Sequence, residues 1–349
     1  MQSALYRAEA RIGDQGYPAW ELCQILRAIR QLFGDATHSD ICERLGVAYE
    51  LLPSMTLVPV WQVQGAMEAL CSLSDNPAIG FIAASDYRVS ELGFLKSLLA
   101  NCATLKDCFL LLNDNPEWAG TMNDSLISWS ADRLTVRWLN TARLPAAQFI
   151  CHFQHSLGAI VVLGRELCGV DFPLLHVALQ GEAHPGDELS VLCGCEVSFN
   201  ADFCEWSVAL DTLSLPLTFE FSDAEKAPDA LTTPSFIDTV LGALKAHMPE
   251  LPTLAELGGE LGMSDRTLRR RLADNGCSYQ RLVDKLRSQA AISLILEGEL
   301  GVDDIAERLG FTDVSHFRAS FKHWLGAPPG RFARLVAKEP TKSAAPKAQ

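Results

Sequence analysis

Arg266, Arg269 and Arg270 stand at helical spacing around Leu268 and Leu272. At about 100° per residue the two leucines mark a buried side and the three arginines share the opposite face. An arginine fork reaches guanine O6 and N7 together, so this face points to direct reading of guanine-containing half-sites in double-stranded DNA. The plainer alternative is an ordinary solvated basic face. Arg271 falls to one side and suits a phosphate better than a base. Further along, Phe317 and Phe321 mark a second buried side, which leaves Ser315 and Ala319 at the centre of the outer face. His316, Arg318 and Lys322 flank them. Serine reads bases promiscuously and alanine offers only contact with a thymine methyl. The first face is therefore expected to discriminate sequence, and the second to hold DNA backbone together with Ser264 and Thr312.

Both faces belong to a repeated pattern. Leu257-Gly258-x-x-Leu261-Gly262 lies over Ile305-Ala306-x-x-Leu309-Gly310. Each copy reads as an amphipathic helix, a glycine turn and a second helix, the pattern of a helix-turn-helix. Thr253 with Glu256 forms a capping box, and Gly301 with Asp303 and Asp304 suits the start of the matching helix. Gly258 and Ala306 are small enough for a close helix crossing. Gly262 and Gly310 supply a left-handed turn. Ser264 and Thr312 are expected to cap the second helices, the second turn being one residue longer. Two core hairpins would imitate one such match more easily than two in the same order. Between the copies Ser278 caps a long pattern, Tyr279 to Leu296, with Leu282, Val283, Leu286 and Ala290 at helical spacing. A rigid helix there would space two reading helices to enter successive major grooves about 34 Å apart.

On these residues, 251–335 resemble the DNA-binding domain of AraC/XylS-type bacterial transcription regulators. Asp304-Ile-Ala-Glu-Arg-Leu-Gly-Phe-x-Asp-x-Ser-His-Phe-x-x-x-Phe-Lys322 with Gly326-Ala-Pro-Pro329 carries the likeness. Two arginines of that pattern are displaced, with Arg318-Ala319 and Ala333-Arg334 in their places. The resemblance implies a double helix-turn-helix that binds promoter half-sites.

Charge and cysteines bound the remainder. The chain has 349 residues and a net charge of −14. Residues 1–229 carry a net −16 and residues 230–349 a net +2. The C-terminal part is faintly basic, so modest non-specific affinity and a shallow salt slope are expected. The acidic part should repel DNA and be held away from it. No leader and no uninterrupted apolar span is read, since Phe149–Val170 is broken by His152, Gln154, His155, Arg165 and Glu166. A bacterial cytoplasmic, nucleoid-associated protein with no membrane contact is expected. Ten of the eleven cysteines fall singly in residues 1–229. That spacing argues against a zinc framework or a disulfide scaffold. Neither Cys193-Gly-Cys195 nor Cys151-His152-x-x-His155 is read as a metal or redox site, and no cofactor is expected.

Helical patterns run over Leu22–Phe33, Asp40–Gly46, Pro59–Leu73, Leu92–Leu112 (one or two helices) and Pro145–Leu167. Leu126–Ser130 and Arg133–Leu139 alternate as a hairpin. Strands are expected at His176–Gln180, Glu196–Phe199 and Cys204–Leu210, around a short helix at Gly186–Leu192. The fold class is thus a helix-rich α+β domain with one small, mostly antiparallel sheet, followed by an all-α domain with two helix-turn-helix motifs joined by a long helix. Expected boundaries are 1–221, a proline-punctuated linker at 222–235, the DNA-binding domain at 236–337 and a disordered tail at 338–349. Over residues 20–215 the order resembles the AraC effector domain of the subfamily called arabinose-binding, with Asn76-Pro-Ala-Ile-Gly80, Val197-x-Phe199 and Leu215-Pro-Leu217 as its best points. That likeness implies a small-molecule effector and a homodimer. Trp118, Trp138, His152 and His155 are the polar-tipped aromatics put forward for the effector site, against the alternative that Trp138 and His152 are satisfied core residues. RNA polymerase is a further expected contact. No nucleophile elbow, phosphate loop or paired-acid constellation supports an enzyme. The competing reading is a constitutive, architectural DNA binder whose first domain only oligomerises.

Overall fold

A computed structural model describes residues 4–115, 118, 120, 122–183, 188–221 and 234–337. The expected tail and nearly all of the expected linker lie outside these residues, as does the start of the expected helix at Gly186.

The N-terminal part is built on a six-stranded sheet. Its strands are β1 (Ala4–Arg7), β4 (Asp124–Trp129), β5 (Arg133–Leu139), β6 (Leu174–Ala178), β7 (Val197–Ser198) and β8 (Cys204–Ala209), in spatial order β1-β4-β5-β8-β6-β7. All pairs are antiparallel except β6–β7. The β4–β5 hairpin places Ile127 opposite Val136, and both face the core. The long helix Ala146–Cys168 covers that face with Phe149, Phe153, Leu157 and Val161. It is long and apolar enough to cross a membrane, but 50% of its most apolar window is buried inside the fold. The short helix Ile79–Ala83 crosses it at two glycines. A Cβ on Gly80 would lie 2.3 Å from Cys151 O, and one on Gly158 would lie 2.9 Å from Phe81 O, so side chains there would force the helices apart. Asn76 starts this crossing by accepting from Ala78 N at 2.8 Å.

A second core joins the helices Ala19–Phe33, Asp35–Leu45 and Val60–Ser72 through Leu22, Ile25, Ile29, Val63, Met67 and Leu70. The expected run Leu92–Leu112 divides into Phe94–Leu99 and Leu105–Asp114, the latter opened by a Thr104–Asp107 capping box. The sequence reading missed β1 and a two-stranded ribbon of β2 (Gly16–Pro18) with β3 (Leu57–Pro59). These segments are three or four residues long, too short to display an alternation.

The C-terminal part holds helices Phe236–Ala246, Leu254–Glu260, Asp265–Asp274, Tyr279–Glu297, Val302–Arg308, Val314–Leu325 and Pro329–Ala337. Thr253 and Ser264 cap as expected, and Gly262 and Gly310 are left-handed at φ 67° and 74°. The expected cap at Thr312 is corrected: Asp313 is the N-cap and accepts from Ser315 N at 2.8 Å. The longer second turn moves the start of the helix one residue on, and a carboxylate suits its positive end better than a hydroxyl.

The two parts are packed together rather than held apart. Asp14 accepts from Phe236 N and Ile237 N, both at 3.0 Å, and so caps the first C-terminal helix from outside. Ile12 is buried in the core formed by Ile237, Leu257, Leu268, Leu272 and Leu282. The intervening Gly13 has φ 65°, and a Cβ there would lie 3.0 Å from Asn275 O. Leu126 and Leu139 of the sheet enter the other C-terminal core, beside Ile292, Phe321 and Phe332. Along the connecting helix Tyr279–Glu297 the buried residues include Lys285 and Ser288, which periodicity had not marked. Lys285 donates to Ala10 O, while Asp124 accepts from Ala10 N at 2.7 Å and from Gln289 Nε2 at 3.2 Å.

Candidate functional site

Leu268 and Leu272 anchor the helix Asp265–Asp274, and Ser264 accepts from Thr267 N at 3.2 Å to fix its start. Arg266, Arg269 and Arg270 are exposed, and their guanidinium groups make no hydrogen bond or ion pair with the described residues. Three solvated forks on one short face form a surface ready for an anion or a base edge. Arg271 is engaged differently. Its guanidinium lies over the Phe236 ring, 3.9 Å from the centroid, and one nitrogen is 3.5 Å from Met263 Sδ. That contact ties the helix to the start of Phe236–Ala246.

The helix Val314–Leu325 is fixed by aromatic packing, with Phe317, Phe321 and Trp324 buried. Ser315, His316, Arg318, Ala319 and Lys322 are all exposed, and Thr312 precedes them in the turn. Arg318 is paired with Asp303 of the preceding helix at 3.0 Å. His316 lies edge-on to Phe311. At the far end of this helix His323 meets Arg143 of the N-terminal part, whose other arm reaches Asp284 at 3.1 Å.

The four aromatic candidates of the N-terminal part separate. Trp118 lines an open cavity of about 600 Å³ together with Trp20, Arg27, Tyr49 and Glu91. Trp138 lines a second cavity of about 220 Å³, walled by apolar side chains such as Leu95, Leu163 and Trp206. His152 and His155 line neither of these cavities. Both are buried, and loss of solvent pulls them down to about 4 and about 3, so they are neutral at pH 7. His155 Nε2 is 3.1 Å from the Tyr87 hydroxyl, and its Nδ1 is 3.9 Å from Glu21 Oε1.

Three residues on the walls of the smaller cavity were not singled out from sequence: Trp20, Glu21 and Asn123. Burial pushes Glu21 up to about 8. Its surroundings suit the neutral acid, because the Tyr17 hydroxyl lies 2.7 Å from Gly120 O and 3.0 Å from Glu21 Oε2. One hydroxyl has one proton for two acceptors, and a protonated Glu21 supplies the second. Asn123 is 3% exposed, and neither atom of its amide has a hydrogen-bond partner among the described residues. Trp20 Nε1 is likewise buried without one. No periodicity or motif marks these three, since their shared cavity wall exists only in the folded chain. Among the described residues no group of three or more His, Cys, Asp or Glu could hold a metal ion, and all eleven cysteines are free thiols.

Comparison with known proteins places both parts. A family model described as a helix-turn-helix domain matches residues 257–335. One described as the arabinose-binding domain of AraC transcription regulators, N-terminal, matches residues 37–217. The HTH-type transcriptional regulator VqsM of Pseudomonas aeruginosa is 40% identical over 96 residues, covering 28% of this chain and 29% of that protein. The ornithine utilization regulator of the same organism is 36% identical over 89 residues, 26% of each. The chain thus matches under a third of the length of these curated relatives. The crystal structure of the transcriptional regulator CdpR from Pseudomonas aeruginosa aligns over 85% of this chain and 96% of its own, at 20% identity and a TM-score of 0.39.

Proposed function

The chain belongs to the AraC family of helix-turn-helix transcription regulators, and from that premise we propose that both helical pairs of its C-terminal part bind DNA, the first as reader and the second as anchor. The observation that carries this division is the unpaired trio Arg266, Arg269 and Arg270, set against Arg318 held by Asp303. Base reading falls to the trio, with Ser315 and Ala319 adding a weak contribution from the second helix. Ser264, Arg271, Thr312, His316, Arg318 and Lys322 are assigned to the DNA backbone. The connecting helix has 19 residues, about 28 Å at 1.5 Å each, which supports placement of the two reading helices in successive major grooves.

Residues 1–221 act in this reading as an effector domain that responds to a small molecule, and 236–337 as the DNA-binding domain. The contact network gives the control a physical route. The segment from Arg7 to Trp20 begins and ends on the cavity wall and passes between through Ala10, Ile12 and Asp14, which hold the connecting helix and the first helical pair. A ligand that moved either end would change how the DNA-binding part is held. A homodimer in the cytoplasm, with a contact to RNA polymerase, completes the proposal; no catalytic role is assigned.

The test is a gel-shift titration with DNA from upstream of the protein's own gene, comparing Arg269→Ala with Ser315→Ala. Arg269→Ala should weaken binding and relax preference for guanine. A larger loss of preference from Ser315→Ala would overturn the reader–anchor division, and retention of all DNA equally whatever its sequence would favour the architectural alternative.

A further inference from the structure

Cys71 and Cys151 are far apart in the chain and meet in the fold. Cys71 is the penultimate residue of the helix Val60–Ser72, and Cys151 lies in the second turn of the long helix Ala146–Cys168. The Cys151 thiol donates a hydrogen bond to the Cys71 sulfur. Both residues line a third cavity, of about 340 Å³, together with Asn76, Pro77, Gln154 and Phe199. Cys71 is half-buried and Cys151 is 5% exposed, and both are free thiols.

A single buried cysteine packs as a small hydrophobe. Two in contact, one of them reachable from solvent, can also exchange electrons. The contact divides their roles, because a thiol that donates to a second sulfur stabilises the thiolate of the acceptor. Cys71 is drawn below the usual thiol value by the Cys151 thiol, although burial and the Glu68 carboxylate push the other way. Cys151 is pushed up by the same hydrogen bond and by burial. Thiol oxidation to a disulfide needs this pairing of an accessible thiolate with a second thiol beside it. A second pair of neighbouring thiols, Cys102 and Cys108, lacks the division: burial pushes both of them up.

We propose that Cys71 and Cys151 form a peroxide-sensitive dithiol, in which Cys71 is oxidised first and Cys151 then closes a disulfide with it. The Cys71 thiolate attacks one oxygen of a hydroperoxide and breaks the O–O bond. Cys71 becomes a sulfenic acid, and the alkoxide or hydroxide that leaves takes up the proton the thiol released. The Cys151 sulfur then attacks the sulfenic sulfur, and an S–S bond forms as the S–O bond breaks. The departing hydroxide takes the Cys151 proton and becomes water. Together the two thiols lose two electrons and the hydroperoxide gains them. Closure of sulfurs already in contact to about 2.05 Å is a local shift at the helix end. The bond ties that end to the crossing where Cys151 O lies against Gly80. This site is independent of both the DNA-binding and the effector readings.

The test treats the reduced full chain at pH 7 with one equivalent of hydrogen peroxide, blocks the remaining thiols with N-ethylmaleimide in urea, and maps tryptic peptides by mass spectrometry. Cleavage after Arg44, Arg88, Arg143 and Arg165 leaves each of the two cysteines alone in its peptide, so linkage of 45–88 to 144–165 identifies the bond. The linked pair should be the main product and should revert with dithiothreitol. Thiol should be lost at Cys71 about tenfold faster than at Cys102. Cys71→Ser should abolish the link, and Cys102→Ser should leave it unchanged. Cys151→Ser keeps a hydroxyl that can donate to Cys71 but removes the second thiol, so Cys71 should persist as a sulfenic acid that dimedone captures. Absence of the linked peptides in the unaltered chain, a Cys102–Cys108 link formed equally fast, or a folded Cys151→Ser chain without a dimedone adduct at Cys71 would each overturn the proposal.

Discussion

In the first helical pair the outward face carries three guanidinium groups with no partner among the described residues, whereas in the second Arg318 is drawn back onto Asp303. Their interiors differ in the opposite sense. The first is a small aliphatic core of Leu257, Leu268 and Leu272 completed by Ile12 from the N-terminal part. The second is aromatic, with Phe311, Phe317, Phe321 and Phe332 meeting edge to face, Trp324 tilted against Phe311 and Phe321, and Leu126 and Leu139 of the sheet behind them. One copy of a repeated pattern has concentrated its chemistry outside, and the other its packing energy inside. A duplicated fold can divide labour this way because the pattern constrains only the buried positions and the turns.

The comparison breaks first at the cores. Phe321→Ala should destabilise the chain by about 3–5 kcal/mol, measured by urea denaturation. Leu268→Ala should cost less, about 2–4 kcal/mol. Equal or reversed losses would mean that the aromatic core is not the stronger of the two.

Arg269→Ala should lower affinity for a specific site by about 1–3 kcal/mol, and by less for random DNA. Ser315→Ala should stay within about 0.5 kcal/mol by the same titration. Any guanine preference that survives removal of all three arginines would locate reading elsewhere.

A smaller effect should follow from Asp14→Ala, which removes the cap that Phe236 N and Ile237 N receive from outside their own part. The expected loss is about 1 kcal/mol, with faster amide exchange confined to residues 236–246. No change there would mean that the first pair does not depend on the N-terminal segment.

Smallest in stability, but diagnostic for the anchor, is Asp303→Asn. The exposed Arg318–Asp303 pair is worth about 0–1 kcal/mol to folding. Releasing Arg318 toward phosphate should steepen the salt dependence of DNA binding by about one unit of slope. A slope that does not move would show that Arg318 is not at the backbone.

Much of this was legible beforehand. The Leu257–Gly262 and Ile305–Gly310 repeats, the left-handed glycines and the Ser264 cap are local features, so spacing alone revealed them. The hairpin at Leu126–Leu139 and the helix ending at Cys168 were equally clear, because alternation and helical period persist over whole elements. Thr312 was assigned a cap that Asp313 makes, since both residues suit the position and only the length of the turn decides between them. Lys285 and Ser288 are polar, so the apolar periodicity of their helix does not mark them as buried. Their burial comes from a partner surface around Ala10 that is distant in sequence.

The sequence by itself determined the family, the two helical pairs and which arginines face outward, because each depends on residues within one or two helical turns of one another. Tertiary structure decided the rest. It brought the segment Ala10–Gln15 onto the DNA-binding part, left His152 and His155 neutral in the core, and placed Trp20, Glu21 and Asn123 on one cavity wall. A buried amide without a partner has no signature in a linear chain, because its lack of a partner depends on every element packed around it.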